Sequence, residues 1–210
     1  MSQGDGPPLP SSDRPERPLT EARDLALGGL LGALAIALPI VFHAVGLGRV
    51  FLPMHLPILA LGLLASWRVA GTVGLAVPIL SAVLTGMPPL APPTAVLMSA
   101  ELMTLAFAAS LGRRWGLGVW PATVIALAAT RAVGVGVLAV LGRAIGLQQG
   151  VQDYVIASLL VSWPGVALQL TVVPAAVVTI ERTSIIGYGR RGRAPHAKED
   201  TTSDDGGSAC

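Results

Sequence analysis

Long apolar runs, separated by short clusters of charged residues, glycine and proline, dominate the middle of the chain. Several runs approach the ~20 residues that an α-helix needs to cross a bilayer. Apolar runs bounded in this way predict transmembrane helices joined by turns or loops. The pattern defines six segments, at approximately residues 25–45, 53–67, 69–87, 93–111, 116–141 and 153–180.

The second segment is shorter than a full span, so the apolar pattern alone allows six crossings, or five crossings with a re-entrant arm. Basic residues near helix ends favour the cytoplasm and decide between the two. Six crossings leave only Arg49 and Arg143 on the side opposite the termini, with Arg131 inside the membrane. We therefore expect six crossings and two cytoplasmic termini. The basic residues on the side of the termini are Arg14, Arg17, Arg23, Arg68, Arg113, Arg114, Arg182, Arg190, Arg191, Arg193 and Lys198.

Composition supports an all-α integral membrane protein, because 52% of the 210 residues are hydrophobic and 12% are charged. Soluble domains contain about 25% charged residues. Residues 1–24 and 184–210 are polar and rich in proline, glycine and charge, which predicts disordered cytoplasmic extensions around a membrane domain at 25–183. The net charge of +2 does not indicate nucleic acid, because the arginines follow the membrane topology.

The three connections assigned to the outer face, "GLGRVFLPMHLP", "TGMPPLAPP" and "LGRAIGLQQGVQD", are rich in glycine, proline or polar residues. Irregular backbone at membrane depth is tolerated only where protein buries it or water reaches it. We therefore expect an outward-facing cavity, with His55 and Met87 near its wall. His43, His55, Met54 and Met87 raise the alternative of a soft-metal site, but they form no recognised ligand motif, and we predict no metal or cofactor. His55 could also cap the broken end of the second helix.

Two ionisable residues, Glu101 and Arg131, fall inside predicted helices. Counted from the outer helix ends, their depths are ~12 and ~15 Å, so the two side chains can meet. Charges at this depth usually face a bundle interior or a cavity, because exposure to lipid is costly. Either the two residues form a mutual ion pair that joins two helices, or at least one of them binds a polar ligand.

Gln169 and Trp163 in the last segment add a polar group and an aromatic group to this region. A ligand pocket needs a few polar groups among apolar and aromatic walls. Each of the two residues could equally serve packing or anchor the helix at the interface.

Small residues recur in the first segment at Gly29, Ala33 and Ala37. Residues of this size at four-residue spacing let another helix approach closely. The strip could pack within the protein or receive a separate membrane subunit.

Several chemical motifs are absent from the sequence. It contains no phosphate-binding G-x-x-x-x-G-K-[ST] loop, no H-E-x-x-H and no G-x-S-x-G. We therefore predict that the protein is not an enzyme. If it moves a solute uphill, another chain must supply the energy.

Four runs, "IALPIVFHAVGLGRVFLPMHLPILALGLL", "VPILSAVLTGMPPLAPP", "MSAEL" and "SWPGVALQLTVVPAAVVTIER", resemble the substrate-binding S components of energy-coupling factor (ECF) transporters. The resemblance covers approximately residues 25–183, and "LTGMPPL" is its most specific part. It implies a six-helix bundle in a bacterial cell membrane that captures a water-soluble vitamin or related micronutrient at its outer face. It also implies a transmembrane T component and two cytosolic ABC-type ATPases as partners.

The resemblance further implies roles for particular residues. The strip of Gly29, Ala33 and Ala37 would dock on the T component, and the fourth to sixth helices, which carry Glu101, Arg131, Gln169 and Trp163, would build the pocket with the outer loops. Two other classes remain: a structural or accessory membrane subunit without a ligand, and an intramembrane enzyme. The enzyme would need clustered carboxylates or a nucleophile with a base, and Glu101 alone supplies neither.

Overall fold

A computed structural model describes residues 16–44, 46, 51–86, 88, 94–145, 156 and 162–183 of the chain. Within this part the chain forms α-helices and no β-strand. The helices are α1 (Glu16–Ala44), α2 (His55–Leu64), α3 (Trp67–Thr85), α4 (Thr94–Arg114), α5 (Val119–Ile145) and α6 (Trp163–Arg182).

All of these helices except α2 are long and apolar enough to cross a membrane. The protein is therefore an all-helical bundle with the character of a multi-pass membrane protein. The helix α2 has ten residues and a length of ~15 Å, about half of a ~30 Å hydrocarbon core. The expected second span at 53–67 is thus a half-length helix rather than a complete crossing.

The helix α1 starts earlier than the expected boundary at residue 25, because Arg23 and Asp24 find partners inside the bundle. The backbone N–H of Ser66 donates to Asp24 Oδ2 at 2.9 Å, and Arg23 donates to the carbonyl of Leu64 at 3.4 Å. The carboxylate lies at the N-terminus of α3 and the guanidinium at the C-terminus of α2. Each charge is therefore stabilised by the dipole of the helix end that it contacts. Of the expected extension at 1–24, residues 16–24 belong to α1, and residues 1–15 lie outside the described residues, as does the expected extension at 184–210.

The start of α1, the α2–α3 junction and the ends of α4 and α6 lie together at one end of the bundle. Ser110 of α4 donates to the carbonyl of Ala65 at 2.9 Å, and Arg113 of α4 forms an ion pair with Glu181 of α6. We call this the charged end and the opposite end of the bundle the far end. The chain returns to the charged end after α2, α4 and α6, as the six-segment topology requires.

The short helix α2 forms the centre of the bundle and packs against all the other helices. A helix that is apolar on every side is typical of a buried core position. Its close contact with α4 depends on Gly62, where an added Cβ would lie 2.6 Å from the carbonyl oxygen of Ala106. The glycine at position 74 of α3 makes a similar approach to Leu102 of α4.

Small residues give α1 two different faces. Added Cβ atoms at Gly28 and Gly32 would meet valine side chains of α3 at 2.9 and 3.2 Å, so this face packs inside the bundle. Gly29, Ala33 and Ala37 lie on the exposed face instead, and Gly29 has no neighbour within 4 Å of an added Cβ. The predicted strip is therefore not used for packing among the described residues.

Candidate functional site

The segment "FLPMHLP" brings the chain back into the bundle and starts α2 at mid-depth. Leu52 has a φ of +48°, a backbone conformation that L-residues with large side chains rarely adopt. The backbone N–H of His55 then donates to the carbonyl of Leu52 at 2.9 Å. Because α2 occupies only the half of the bundle nearer the charged end, its first residue lies in the interior. The imidazole of His55 is accordingly 2% exposed.

His55 lies close to a carboxylate from another helix. Its Nε2 lies 4.0 Å from Oε2 of Glu101 on α4, and both side chains are buried. In the described part of the chain, the ion pairs are His55–Glu101 and Arg113–Glu181. The two alternatives for Glu101 and Arg131, a mutual ion pair or the binding of a ligand by at least one of them, therefore stay predictions.

Gln169 adds a buried amide from α6, a helix that packs against α2 and α5. Its side chain is fully buried. We call His55, Glu101, Arg131 and Gln169 the inner polar residues. Each of them comes from a different helix, and sequence reasoning singled out all of them.

The inner polar residues leave several hydrogen-bonding atoms without partners among the described residues. These atoms are Nδ1 and Nε2 of His55, Nη2 of Arg131, and both amide atoms of Gln169. A buried polar atom without a partner costs about 1–3 kcal/mol, so folded proteins rarely keep several together. Such atoms are instead suited to a bound polar molecule or ordered water.

The chemistry of these groups favours binding. Imidazole and amide groups both donate and accept hydrogen bonds, guanidinium only donates, and carboxylate accepts. The described ranges contain no group of three or more His, Cys, Asp or Glu residues that could hold a metal ion.

The other predicted site residues are placed elsewhere. Trp163 at the start of α6 is 65% exposed, whereas His55, Glu101 and Gln169 are buried. Met87 and the side chain of His43 lie outside the described residues. Met54 is buried directly before α2.

Sequence reasoning missed Ser99, a buried residue of α4 whose hydroxyl has no partner in the part of the chain that is described. The only signal was its position in "MSAEL", two residues before Glu101. Ser99 lines an apolar groove of about 400 Å³ between α3 and α4, with Leu75, Ile79 and Met103. The groove contains none of the inner polar residues, so it does not represent the expected outward-facing cavity.

Fold and site together define a class of protein, a multi-pass helical membrane protein with polar residues buried at the start of a half-length central helix. Comparisons with protein-family models, curated proteins and solved structures found no match. The functional conclusion therefore depends on the chain's own residues and their geometry.

Proposed function

We propose that this protein is the substrate-binding subunit of an ATP-driven membrane importer. It would bind a water-soluble vitamin or related micronutrient at the outer face of a bacterial cell membrane, as S components of ECF transporters do. Both termini would lie in the cytoplasm, so the far end of the bundle would face outward. The proposed role is binding rather than chemistry.

The observation that carries this proposal is the buried hydrogen-bonding atoms of His55, Arg131 and Gln169, which have no partner among the described residues. A subunit that only filled space would be more stable with apolar side chains at these positions. A binding subunit keeps such atoms because a ligand completes their hydrogen bonds. The half-length of α2 fits this role, since its first residue, His55, lies inside the bundle beside Glu101.

The proposal is tested by thermal unfolding of the detergent-purified protein with a panel of B vitamins and their precursors. A ligand present at 100 times its Kd stabilises the fold by about 2.7 kcal/mol. We expect one member of the panel to raise the melting temperature of the wild type but not of Glu101→Gln. Thr130→Val is the matched control, because the Thr130 hydroxyl is bonded within its own helix to Ala126 at 2.8 Å. A folded protein whose melting temperature no compound changes would instead support a structural or accessory subunit.

The proposed partners are a transmembrane T component and two cytosolic ATPases. We propose that the T component packs on Gly29, Ala33 and Ala37, which are exposed and leave room for a neighbouring helix. A small residue is required there only if a partner helix approaches closely.

Ala33→Leu is therefore expected to abolish co-purification with the T component while leaving the melting temperature and ligand binding of the isolated protein unchanged. The control is Ala128→Leu, the same enlargement at an exposed position of α5. If both variants lost co-purification with the T component equally, or if neither lost it, this strip would not be the docking surface.

A further inference from the structure

The apolar groove between α3 and α4 opens on the outside of the bundle. Three of its lining side chains, Leu75, Ile79 and Val96, are 43%, 45% and 51% exposed. Both helices are long and apolar enough to cross a membrane, so these side chains face the hydrocarbon region of the bilayer. No charged residue lines the groove in the described part of the chain. The groove is therefore suited to the apolar part of a lipid.

The groove occupies the half of the membrane nearer the far end. On α4 it extends from Ala95 to Met103, which lies ~14 Å from the helix start at Thr94. On α3 it reaches Leu75, which lies ~15 Å from the helix end at Thr85. One leaflet contributes about half of the ~30 Å hydrocarbon core. The length of the groove thus matches the acyl chain of a lipid in the leaflet at the far end.

One polar group lines this apolar groove, the hydroxyl of Ser99. The residue is 5% exposed, and its hydroxyl has no hydrogen-bond partner in the described part of the chain. Helical hydroxyls commonly bond to a carbonyl one turn earlier, as Thr104 of the same helix does with Ala100 at 2.7 Å. The buried hydroxyls of Ser110 and Thr130 also have partners. The hydroxyl of Ser99 is thus left to donate to a molecule in the groove.

The position of Ser99 favours an acceptor near the head of an acyl chain. The residue lies ~7.5 Å from the start of α4, and its Cα–Cβ bond tilts towards that end of the helix. The ester carbonyl of a glycerophospholipid lies at the head of each acyl chain and can accept a hydrogen bond from the hydroxyl. A transmembrane helix in the groove would offer no such backbone acceptor, because its own hydrogen bonds already use its carbonyls.

We propose that this groove binds one glycerophospholipid of the leaflet at the far end. An acyl chain lies along the groove, and an ester carbonyl oxygen accepts the hydrogen bond of Ser99. Because the lining is uncharged, the groove selects the chain and its ester rather than the head group. The inner polar residues do not line the groove, so the lipid site is separate from the proposed substrate site and does not depend on it.

Native mass spectrometry of the detergent-purified protein tests the proposal by counting bound lipids during a titration. The probes are dioleoyl phosphatidylcholine and its diether analogue, which has the same chains and head group but lacks the ester carbonyls. We expect the wild type to bind the first molecule of the ester lipid about 2- to 10-fold more tightly than the ether lipid, the effect of one hydrogen bond. Ser99→Ala should remove this difference by weakening the binding of the ester lipid alone.

Two control variants separate the hydroxyl from the shape of the groove. Thr104→Val removes a hydroxyl that is bonded within the same helix and should keep the preference for the ester lipid. Ala100→Leu fills the groove and should weaken the binding of both lipids about tenfold or more. Ala128→Leu, the same enlargement at an exposed position of α5, should weaken neither.

Equal affinity of the wild type for the two lipids, or an ester preference that persists in Ser99→Ala, would overturn the proposal. If Ala100→Leu kept lipid binding but removed a dimer from the same spectra, the groove would bind a second copy of the chain and not a lipid. If Ala100→Leu does not fold, the comparison of ester and ether lipids in Ser99→Ala decides alone. A negative vitamin screen would count against the proposed importer function and leave the lipid site unaffected.

Discussion

Gln169→Met is expected to make the ligand-free protein more stable and to weaken ligand binding. The amide of Gln169 is fully buried on α6, and neither of its polar atoms has a partner among the described residues. Methionine has a similar length and fills irregular apolar space without a hydrogen-bonding requirement. Removing the unsatisfied amide should raise the free energy of unfolding by about 1–3 kcal/mol.

The same substitution removes hydrogen bonds that the amide would form with a ligand. We expect the Kd for the ligand identified in the vitamin screen to rise about 10- to 100-fold. Thermal unfolding in detergent, with and without ligand, measures both effects in one experiment. Thr130→Val is again the control, because its buried hydroxyl already has a partner, and it should change neither quantity by more than about 1 kcal/mol.

If Gln169→Met raises the free energy of unfolding and weakens ligand binding, Gln169 belongs to a ligand site and not to a structural hydrogen-bond network. A variant that is less stable and still binds would show that the amide is satisfied within the protein or by structural water. In that case Gln169 would belong to the packing of α6 and not to a binding site.

The apolar pattern predicted the helices well because their ends are marked by local chemistry. The expected span at 69–87 corresponds to α3, which ends where Gly86 adopts a φ of +72°. The expected span at 93–111 corresponds to α4, which continues to Arg114 and is followed by Gly116 at a φ of +82°. Glycine at a helix C-terminus is a signal that a single sequence carries.

The remaining features depend on contacts between distant residues, which local patterns do not encode. The residues before position 25 look like polar linker, yet Asp24 is buried because it accepts a hydrogen bond from Ser66, far along the chain. The sequence predicts the second segment as a short crossing. In the structure it is a half-length helix at the centre of the bundle, and it packs against every other helix.

The candidate site likewise has features that the sequence predicts and features that only the contacts between distant residues reveal. Glu101 and Arg131 were identifiable because charges are rare within apolar runs. Their surroundings were not, since helix depth does not reveal that His55 lies 4.0 Å from Glu101. Trp163 matched the composition of a pocket wall, and the sequence did not reveal that its side chain would be 65% exposed.

Gly62→Ala is expected to destabilise the protein by about 3 kcal/mol, the upper part of the usual range for overpacking. The added Cβ would lie 2.6 Å from the carbonyl oxygen and 2.9 Å from the Cα of Ala106. These are backbone atoms of the long helix α4, which cannot rotate away as a side chain could. The two helices would have to separate, although alanine normally favours a helix over glycine by about 1 kcal/mol.

Gly29→Ala is the matched control, since an added Cβ there meets nothing within 4 Å and the better helix propensity should leave the isolated protein equally or more stable. Thermal unfolding of both variants in the same detergent gives the comparison. The result also tests the site, because the approach of α2 to α4 at Gly62 holds His55, at the start of the same helix, beside Glu101. If Gly62→Ala unfolded like the wild type, α2 would not be packed against α4 as described, and the contact between His55 and Glu101 would lose its structural basis.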